Sequence, residues 1–351
     1  MSSNPFSVHK STIISNRKAL ALYLINQNRG AEVPAIMSQL IDLDAASLAG
    51  NWGDRVPLSV VTDDINLAAE ILQDDFLGLK IIELIDLPYL PLYRGIKQCL
   101  DPFIRNNTVI PIEVISRLIV RYFKVATEAV QVRIEPSKDT LRILFESSVP
   151  EHISIHQMDG VMLGVQRIMQ AFHPQLPVRL GLSLRSELMG DVFTESTEVY
   201  KQFFKLLPVK STRNYLEFSV PQLGQFEINQ FCISPLQNIL DKEFPQSSYV
   251  ERCQHILTTT MSIMEPTREQ VSLVLNMSVS TLQRRLKQEG SSFHGILLST
   301  RKKLANEYLI QQKLSAKDVA FFLGYQSESQ FFKAFKNWFG MTPMAYQKLN
   351  L

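Results

Sequence analysis

The chain has 351 residues, a length that suits two domains of ordinary size. Hydrophobic residues make up 45% of it and charged residues 20%, so it can bury cores and lacks the polarity of a disordered chain. No signal peptide or long apolar stretch is evident, which argues against secretion and membrane insertion. Three widely separated cysteines argue against a disulfide framework or a thiolate zinc site, so we expect a cytoplasmic protein.

Charge is distributed unevenly along the chain. Residues 246–351 contain 13 Lys and Arg against 7 Asp and Glu, a net charge of +6. The whole chain has 36 and 34, which leaves 23 against 27, a net charge of −4, for residues 1–245. A basic module after a mildly acidic one suggests that the C-terminal part binds a polyanion.

The first 245 residues are predicted to form an α+β domain of helices and a small sheet. Apolar residues at three- and four-residue spacing predict helices at 18–27, 63–72, 113–126, 160–172 and 197–207. Alternation of apolar and polar residues predicts a hairpin over 130–145 and strands at 177–185 and 215–223. Strand patterns end near residue 245, where we place the boundary between domain 1–245 and domain 246–351.

Two stretches of the basic domain repeat one pattern. They are NMSVSTLQRRLKQEGSSF (276–293) and GYQSESQFFKAFKNWFGMTP (324–343). Leu282, Arg284, Leu286 and Lys287 match Phe331, Lys333, Phe335 and Lys336 at a constant offset of 49 residues. Each copy therefore predicts a short helix with one apolar and one basic side.

A capped helix precedes each basic helix. Thr267 with Gln270, and Ser315 with Asp318, have the spacing of helix N-caps. Asn276 and Gly324 suit the left-handed conformation that ends a helix, and Ser278 and Ser327 can then cap the next one. The C-terminal domain is thus predicted to be all-α, with two helix-turn-helix units joined by a long linker helix at 293–310.

The length of the linker helix suggests what this arrangement binds. At 1.5 Å per residue it spans about 25 Å. Together with the flanking helices, this would bring the two basic helices near the ~34 Å repeat of the DNA major groove. We therefore expect double-stranded DNA as the polyanion.

These motifs resemble the double helix-turn-helix domain of the AraC/XylS family of bacterial transcription regulators. The matching positions run from 250 to 347 and are Leu282-Gln283-Arg284, Gly290-Ser291-Ser292-Phe293, Arg301, Val319-Ala320, Leu323-Gly324-Tyr325, Ser329, Phe331, Phe335-Lys336, Gly340, Thr342-Pro343 and Tyr346. Departures are Ser272 where Ala is usual, Lys333 where Arg is usual, and Gln347 where Arg often follows the aromatic residue. Lys333 lacks the planar fork that reads guanine, which weakens that assignment.

The resemblance implies that the second helix of each unit enters the major groove. It then implies six base-reading residues, namely Ser280, Gln283, Arg284, Ser329, Gln330 and Lys333. We expect three cations that flank this face, Arg285, Lys287 and Lys336, to contact phosphates.

The N-terminal part is similar to the arabinose-binding-type domain of AraC-family regulators related to the ornithine, arginine and virulence regulators. The similarity rests on 197–223, with Tyr200, Phe203, Pro208, Asn214 and Phe218 among the matching residues. It implies control of promoter DNA binding, more often activation than repression, by an unknown small-molecule effector. The partners expected by analogy are RNA polymerase and a second copy of the chain.

A histidine pair and several residues of the N-terminal part allow other interpretations. His152 and His156 lie four residues apart near Glu151 and Asp159, but no third metal ligand is evident, so no metal or other cofactor is expected. Phe123, Arg133, Arg179 and Arg185 either line a ligand cavity or fill a core and its rim. Motifs of hydrolases, P-loop proteins and zincins are missing, so we expect no enzyme. A constitutive architectural protein and an enzyme with a DNA-targeting tail are the alternatives.

Overall fold

The structure is a computed structural model. It describes residues 6–43, 55–106, 109–136, 139–149, 153–183, 193–220, 234–243, 248–261, 266–275, 277–311 and 314–350. The chain divides into two compact units, residues 1–223 and 224–351. Each unit is described by itself.

Helices form the first part of the N-terminal unit. They are α1 (Lys10–Asn26), α2 (Val33–Met37), α3 (Leu58–Leu72), α4 (Leu77–Leu84), α5 (Pro91–Arg105) and α6 (Ile112–Tyr122). Single 3-10 turns occur at Gly30–Glu32, Leu87–Tyr89 and Phe123–Val125. One hydrophobic cluster contains Leu20 and Leu24 of α1, Ala68 of α3, and Leu77 and Ile81 of α4, so these helices share a core.

Two further helices and a five-stranded sheet complete the unit. The helices are α7 (Ile155–Gln170) and α8 (Phe193–Phe204). The strands are β3 (Val130–Pro136), β4 (Thr140–Ser147), β5 (Arg179–Leu182), β6 (Pro208–Lys210) and β7 (Asn214–Ser219). Their order is β3-β4-β7-β5-β6, with only the β5–β6 pair parallel. The unit thus has the expected α+β composition.

Helix α7 joins the helices to the sheet. It contacts α4 so closely that a Cβ on Gly78 of α4 would overlap the backbone of His156. Asp159 of α7 is 2% exposed and accepts hydrogen bonds from the Tyr200 hydroxyl of α8 at 2.8 and 3.0 Å. A buried carboxylate needs such a partner, so this bond fixes α8 against α7.

A small two-stranded sheet lies beside the helices. It pairs β1 (Ser7–His9) with β2 (Arg55–Pro57) in antiparallel register. Arg55 is 4% exposed, and its guanidinium donates to Ser7 Oγ at 2.7 Å and to the carbonyls of Lys124 and Val125. One buried cation therefore holds both strands to the turn after α6.

The C-terminal unit is helical throughout its described part. Its helices are α9 (Ser234–Glu243), α10 (Tyr249–Thr260), α11 (Arg268–Val274), α12 (Val279–Gln288), α13 (Phe293–Asn306), α14 (Ala316–Phe322), α15 (Glu328–Phe339) and α16 (Pro343–Asn350). A π-helical turn, Glu307–Gln311, continues α13. Within the described ranges, no helix has the length and apolar character needed to cross a bilayer.

Helix α9 belongs to this unit and not to the sheet that precedes it in sequence. Asp241 of α9 pairs with Arg252 of α10, with 3.2 Å between Oδ2 and Nη1, and α9 also contacts α11. The sequence-based boundary at 245/246 places α9 in the N-terminal domain. As a functional boundary it stays a prediction, whereas the compact units divide about twenty residues earlier.

Most predicted elements are present. The helices expected at 18–27, 63–72, 113–126, 160–172 and 197–207 occur as α1, α3, α6, α7 and α8, often starting earlier. The hairpin forms with Val132 opposite Phe145 and Ile134 opposite Ile143. The linker helix ends in a π-helical turn that periodicity did not indicate. Strands β1, β2 and β6 were missed because three residues are too few to show alternation.

Candidate nucleic-acid interface

The first helix-turn-helix unit consists of α11 and α12. Thr267 caps α11 by accepting a hydrogen bond from the Gln270 amide at 3.2 Å, and Ser278 caps α12 by accepting from the Thr281 amide at 3.2 Å. Between the helices, the Met277 amide donates to the Ser272 carbonyl at 3.0 Å. The expected left-handed residue, Asn276, lies outside the described residues. Both predicted caps are confirmed.

The second unit repeats the design with α14 and α15. Ser315 accepts from the Asp318 amide at 3.2 Å, and Ser327 caps α15 by accepting from the Gln330 amide at 3.3 Å. Gly324 in the turn has φ +70°, the left-handed conformation predicted for it. The Tyr325 amide donates to the Ala320 carbonyl at 3.0 Å, which closes the turn.

Each unit buries the apolar side of its second helix. Leu282 and Leu286 of α12 are at most 1% exposed, and Phe331 and Phe335 of α15 are fully buried. In the second unit, Phe335 contacts the rings of Phe339 and Tyr346, with centroid distances of 4.6 and 5.4 Å. Phe331 and Phe335 therefore pack in the core and are not available to stack on bases.

The opposite side of both helices presents the predicted contact residues. All nine are exposed, namely Ser280, Gln283, Arg284, Arg285 and Lys287 on α12, and Ser329, Gln330, Lys333 and Lys336 on α15. The four apolar residues anchor the helices and leave the polar faces free. Each basic helix can therefore meet a polyanion without losing its core.

The linker helix α13 connects the units through a specific contact. Arg301 Nε donates to the Leu323 carbonyl at 3.1 Å, and its guanidinium lies 4.4 Å from the centroid of the Tyr325 ring. Burial lowers the pKa of Arg301, while Tyr325 opposes that shift. The contact holds the turn of the second unit against the linker.

A family model and several known proteins are similar to parts of this chain. A family model described as a helix-turn-helix domain matches residues 271–349. An HTH-type transcriptional regulator of Mycobacterium bovis is 24% identical over 241 residues, covering 65% of this chain and 68% of that protein. The ornithine utilization regulator of Pseudomonas aeruginosa is 34% identical over 119 residues, 34% of this chain and 35% of that one. The structure of the regulator CdpR from Pseudomonas aeruginosa aligns with 94% of this chain and 97% of its own at 17% identity, with a TM-score of 0.36.

The matched family domain coincides with the two helix-turn-helix units, and the relatives are named as transcriptional regulators. The C-terminal unit therefore contains an AraC-type helix-turn-helix domain, as in DNA-binding transcriptional regulators. The match to the mycobacterial regulator covers 65% of the chain. Residues 224–351 are little more than a third of it, so the similarity extends into the N-terminal unit.

One group of contacts in the C-terminal unit was not predicted from the sequence. Tyr249, at the start of α10, lies between two guanidinium groups, with Arg252 at 5.3 Å and Arg285 at 5.4 Å from its ring centroid. Glu289, just after α12, accepts hydrogen bonds from the Tyr249 and Val250 amides at 2.9 and 2.8 Å. These contacts tie α12 to α10. The separation of about 40 residues hid them from local pattern reading.

The structure also accounts for two departures from the family pattern. Ser272 is 4% exposed, but its hydroxyl donates to the Glu269 carbonyl at 2.9 Å, so it is satisfied within its helix. Gln347 donates from Nε2 to the Leu309 carbonyl at 2.9 Å, within the π-helical turn. Lys333 is exposed, and its ammonium group lacks the planar fork that an arginine would supply.

The remaining residues of the N-terminal unit that were candidates for a ligand cavity or a metal site lie in different places. Arg133 pairs with Glu146 at the surface, at 3.5 Å, and the exposed Arg179 lies 3.8 Å from the buried carboxylate of Glu217. Phe123 lines a cavity and is 7% exposed. Arg185, Glu151 and His152 lie outside the described residues. Within the part that the structure describes, no group of three metal-ligating side chains occurs.

Proposed function

We propose that this protein is a cytoplasmic, sequence-specific regulator, acting as a transcription activator, whose helices α12 and α15 insert into successive major grooves of promoter DNA. The N-terminal unit controls it by binding a small-molecule effector. The protein has no catalytic role of its own. The observation that carries this proposal is the exposure of all nine polar and basic side chains on the second helix of two matched helix-turn-helix units.

Base reading is proposed for the residues that project from the exposed faces near the helix starts. They are Ser280, Gln283, Arg284, Ser329, Gln330 and Lys333. Arginine can donate two parallel hydrogen bonds to guanine, whereas glutamine can both donate to and accept from adenine. Lys333 is a point donor and therefore discriminates less sharply than Arg284.

Phosphate contacts are proposed for Arg285, Lys287 and Lys336. They lie further along the same helices, and all three are exposed. The stack of Arg285 on Tyr249 supports this role, because it limits the directions in which the guanidinium can point. Such contacts fix the position of the protein on DNA without reading sequence.

The proposed partners beyond DNA are RNA polymerase, a second copy of the chain and the effector. Activation requires a contact with polymerase, and AraC-family resemblance is the support for it. The extension of the mycobacterial match into the N-terminal unit supports a shared controlling domain. Control then requires that the effector bind the active and inactive states with different affinities.

Selection of bound sequences from random DNA tests the reading heads. The full-length protein would be used at physiological salt, beside Arg284→Ala and Lys333→Ala. Lys348→Ala is a matched control, because Lys348 is exposed but lies on α16, outside both basic helices. We expect two short boxes about one helical turn apart. Arg284→Ala should blur one box at a cost of about 1–3 kcal/mol at one base position, and Lys333→Ala should blur the other.

Other outcomes point to other functions. If Arg284→Ala lowers the affinity for selected and for scrambled DNA equally, Arg284 does not read bases. Binding that stays blind to sequence, with or without a metabolite extract, would favour a constitutive architectural protein. Conversion of a substrate by the protein that persists after removal of residues 250–351 would instead favour an enzyme with a DNA-targeting tail.

A further inference from the structure

The N-terminal unit contains a cavity of about 120 Å³. Helices α1, α3, α4 and α7 line most of it, and the turn after α6 and the start of β3 close one side. Every lining element belongs to one compact unit. The cavity is therefore a feature of this unit alone and does not depend on the DNA-binding domain.

Most of the lining is aliphatic. Val61 and Ile65 of α3, Ile81 and Ile82 of α4, and Val161 of α7 are representative. Among the described lining residues there is no Asp, Glu, Lys or Arg. Burial of an unpaired charge is costly, so an amino acid such as ornithine would lose its hydration here without compensation. A sugar would leave most of its hydroxyls without partners.

Two polar side chains of α1 mark one end of the cavity. Thr12 Oγ1 is buried and has no hydrogen-bond partner among the residues that the structure describes, and Asn16 lines the cavity one helical turn further on. Of the other polar lining residues, Thr127 accepts from the Ala129 amide, and Gln157 accepts from Thr62 and Ser154. His156 also lines the cavity. The Thr12 hydroxyl is therefore available to one polar group of a ligand.

Glycines on α7 provide part of the space. Gly160 and Gly164 both line the cavity, and a Cβ at either position would meet its neighbours at ordinary distances of 3.5 Å or more. Close packing therefore does not require glycine there, unlike at Gly78, where a Cβ would overlap the backbone of α7. Glycine inside a helix costs about 0.5–1 kcal/mol relative to alanine. Glycine at these two positions therefore leaves the cavity larger than alanine would, and that space is available to a ligand.

We propose that this cavity binds a neutral, compact and largely apolar molecule with one hydroxyl, carbonyl or carboxamide group, which hydrogen-bonds to Thr12. An engineered apolar cavity of about 150 Å³ holds benzene, so a molecule built on one small ring is about the largest that this cavity takes. The inference rests on the proposed effector control and names the chemical class of the effector. It also separates this protein from a regulator that responds to a charged amino acid.

The test uses the full-length protein and defined probes. Thermal unfolding and calorimetric titration would compare phenol, benzamide and toluene with benzoate, ornithine and arabinose. Benzamide and benzoate have nearly the same shape and differ in charge. We expect saturable stabilisation by the three neutral aromatic probes and none by the other three. Stabilisation by benzoate equal to that by benzamide, or no stabilisation by any neutral probe, would overturn the proposal.

Two variants locate the site. Thr12→Val keeps the shape and removes the hydroxyl, so phenol should bind about fivefold more weakly while toluene is unaffected. Gly160→Leu should fill the cavity and abolish binding of all three neutral probes. Gln170→Leu places the same side chain on α7 outside the cavity lining and should bind them normally. If Gly160→Leu does not fold, the comparison of phenol with toluene in Thr12→Val still tests whether this cavity is the site. Binding that neither variant alters would place the site elsewhere and overturn the assignment.

A DNA-binding measurement separates this inference from the proposed function. Neutral probes that bind with the expected variant pattern but leave the affinity for the selected boxes unchanged would support the site and overturn effector control through it. A metabolite that changes DNA affinity equally in the wild type and in both variants would support effector control and overturn this cavity as its site.

Discussion

Arg121 is a half-buried cation that makes no ion pair with the described residues. Two of its guanidinium nitrogens, Nε and Nη2, are enclosed and have no hydrogen-bond partner in the described part of the chain. Burial lowers the pKa of the guanidinium from its usual 12.5 to about 9, because little nearby favours the charged form. Arg142 is the contrasting case, since it pairs with Glu217 at 2.7 Å. The two arginines should therefore respond oppositely to loss of charge.

We predict that Arg121→Met stabilises the protein by about 1 kcal/mol, because it removes an uncompensated buried charge and keeps most of the volume. Arg142→Met should destabilise it. The pKa of Arg121 is lower in the folded protein than in the unfolded chain. Its burial as a cation therefore lowers the free energy of unfolding fully at neutral pH, and this destabilisation declines as pH rises above about 9. Urea unfolding at pH 7 and pH 10 measures both effects. If Arg121→Met raises the free energy of unfolding more at pH 10 than at pH 7, this explanation is wrong.

Lys336 is proposed as a phosphate contact, and salt dependence can test that role. We predict that Lys336→Ala weakens binding to selected and scrambled DNA alike, because phosphates carry no sequence information. The slope of log K against log salt should fall in magnitude by about 1, the contribution of one released counter-ion. Fluorescence anisotropy over a salt series gives this slope. An unchanged slope would exclude a direct phosphate contact, and Lys348→Ala serves as the control.

At the scale of elements, two glycines with similar backbone conformations have different surroundings. Gly324, in the turn of the second unit, has φ +70°, and Gly340, at the end of α15, has φ +75°. A Cβ on Gly324 would overlap the Met261 carbonyl oxygen at the end of α10, whereas a Cβ on Gly340 would meet nothing within 4 Å. Gly324 therefore serves both the turn and a close approach between helices.

We predict that Gly340→Ala destabilises the protein by about 1–2 kcal/mol, the cost of the left-handed conformation alone. Gly324→Ala should cost clearly more, because the turn must also move away from α10. It should also weaken DNA binding by displacing α15. Thermal unfolding and DNA titration of the two variants would measure the difference. Equal losses of stability would mean that the contact with Met261 contributes nothing.

At the scale of the whole molecule, the proposed control couples a cavity in one unit to DNA binding by the other. Thermodynamic linkage requires this coupling to be reciprocal. We therefore predict that phenol changes the Kd for the selected boxes by the same factor by which saturating box DNA changes the Kd for phenol. Calorimetry with the full-length protein, alone and bound to DNA, measures both factors. Two unequal factors would show that phenol acts at more than one site or state.

Some of this architecture follows from the sequence and some does not. The helices and the β3–β4 hairpin were predictable because the periods of 3.6 and 2 are local properties of the chain. The helix-turn-helix units were also predictable, since capping residues, left-handed turn residues and the apolar face recur at offsets of 48 to 49 residues. The roles of the nine exposed residues on α12 and α15 stay predictions.

The sequence by itself determined the two-part fold class, the caps and the amphipathic basic helices, because each depends on residues within a few positions of one another. Only the tertiary structure decided the stack of Tyr249 between two arginines, the contact of Arg301 with the second turn, and the cavity beside Thr12. These features bring together side chains from distant segments. No local periodicity encodes such contacts, because they arise only when separate helices pack.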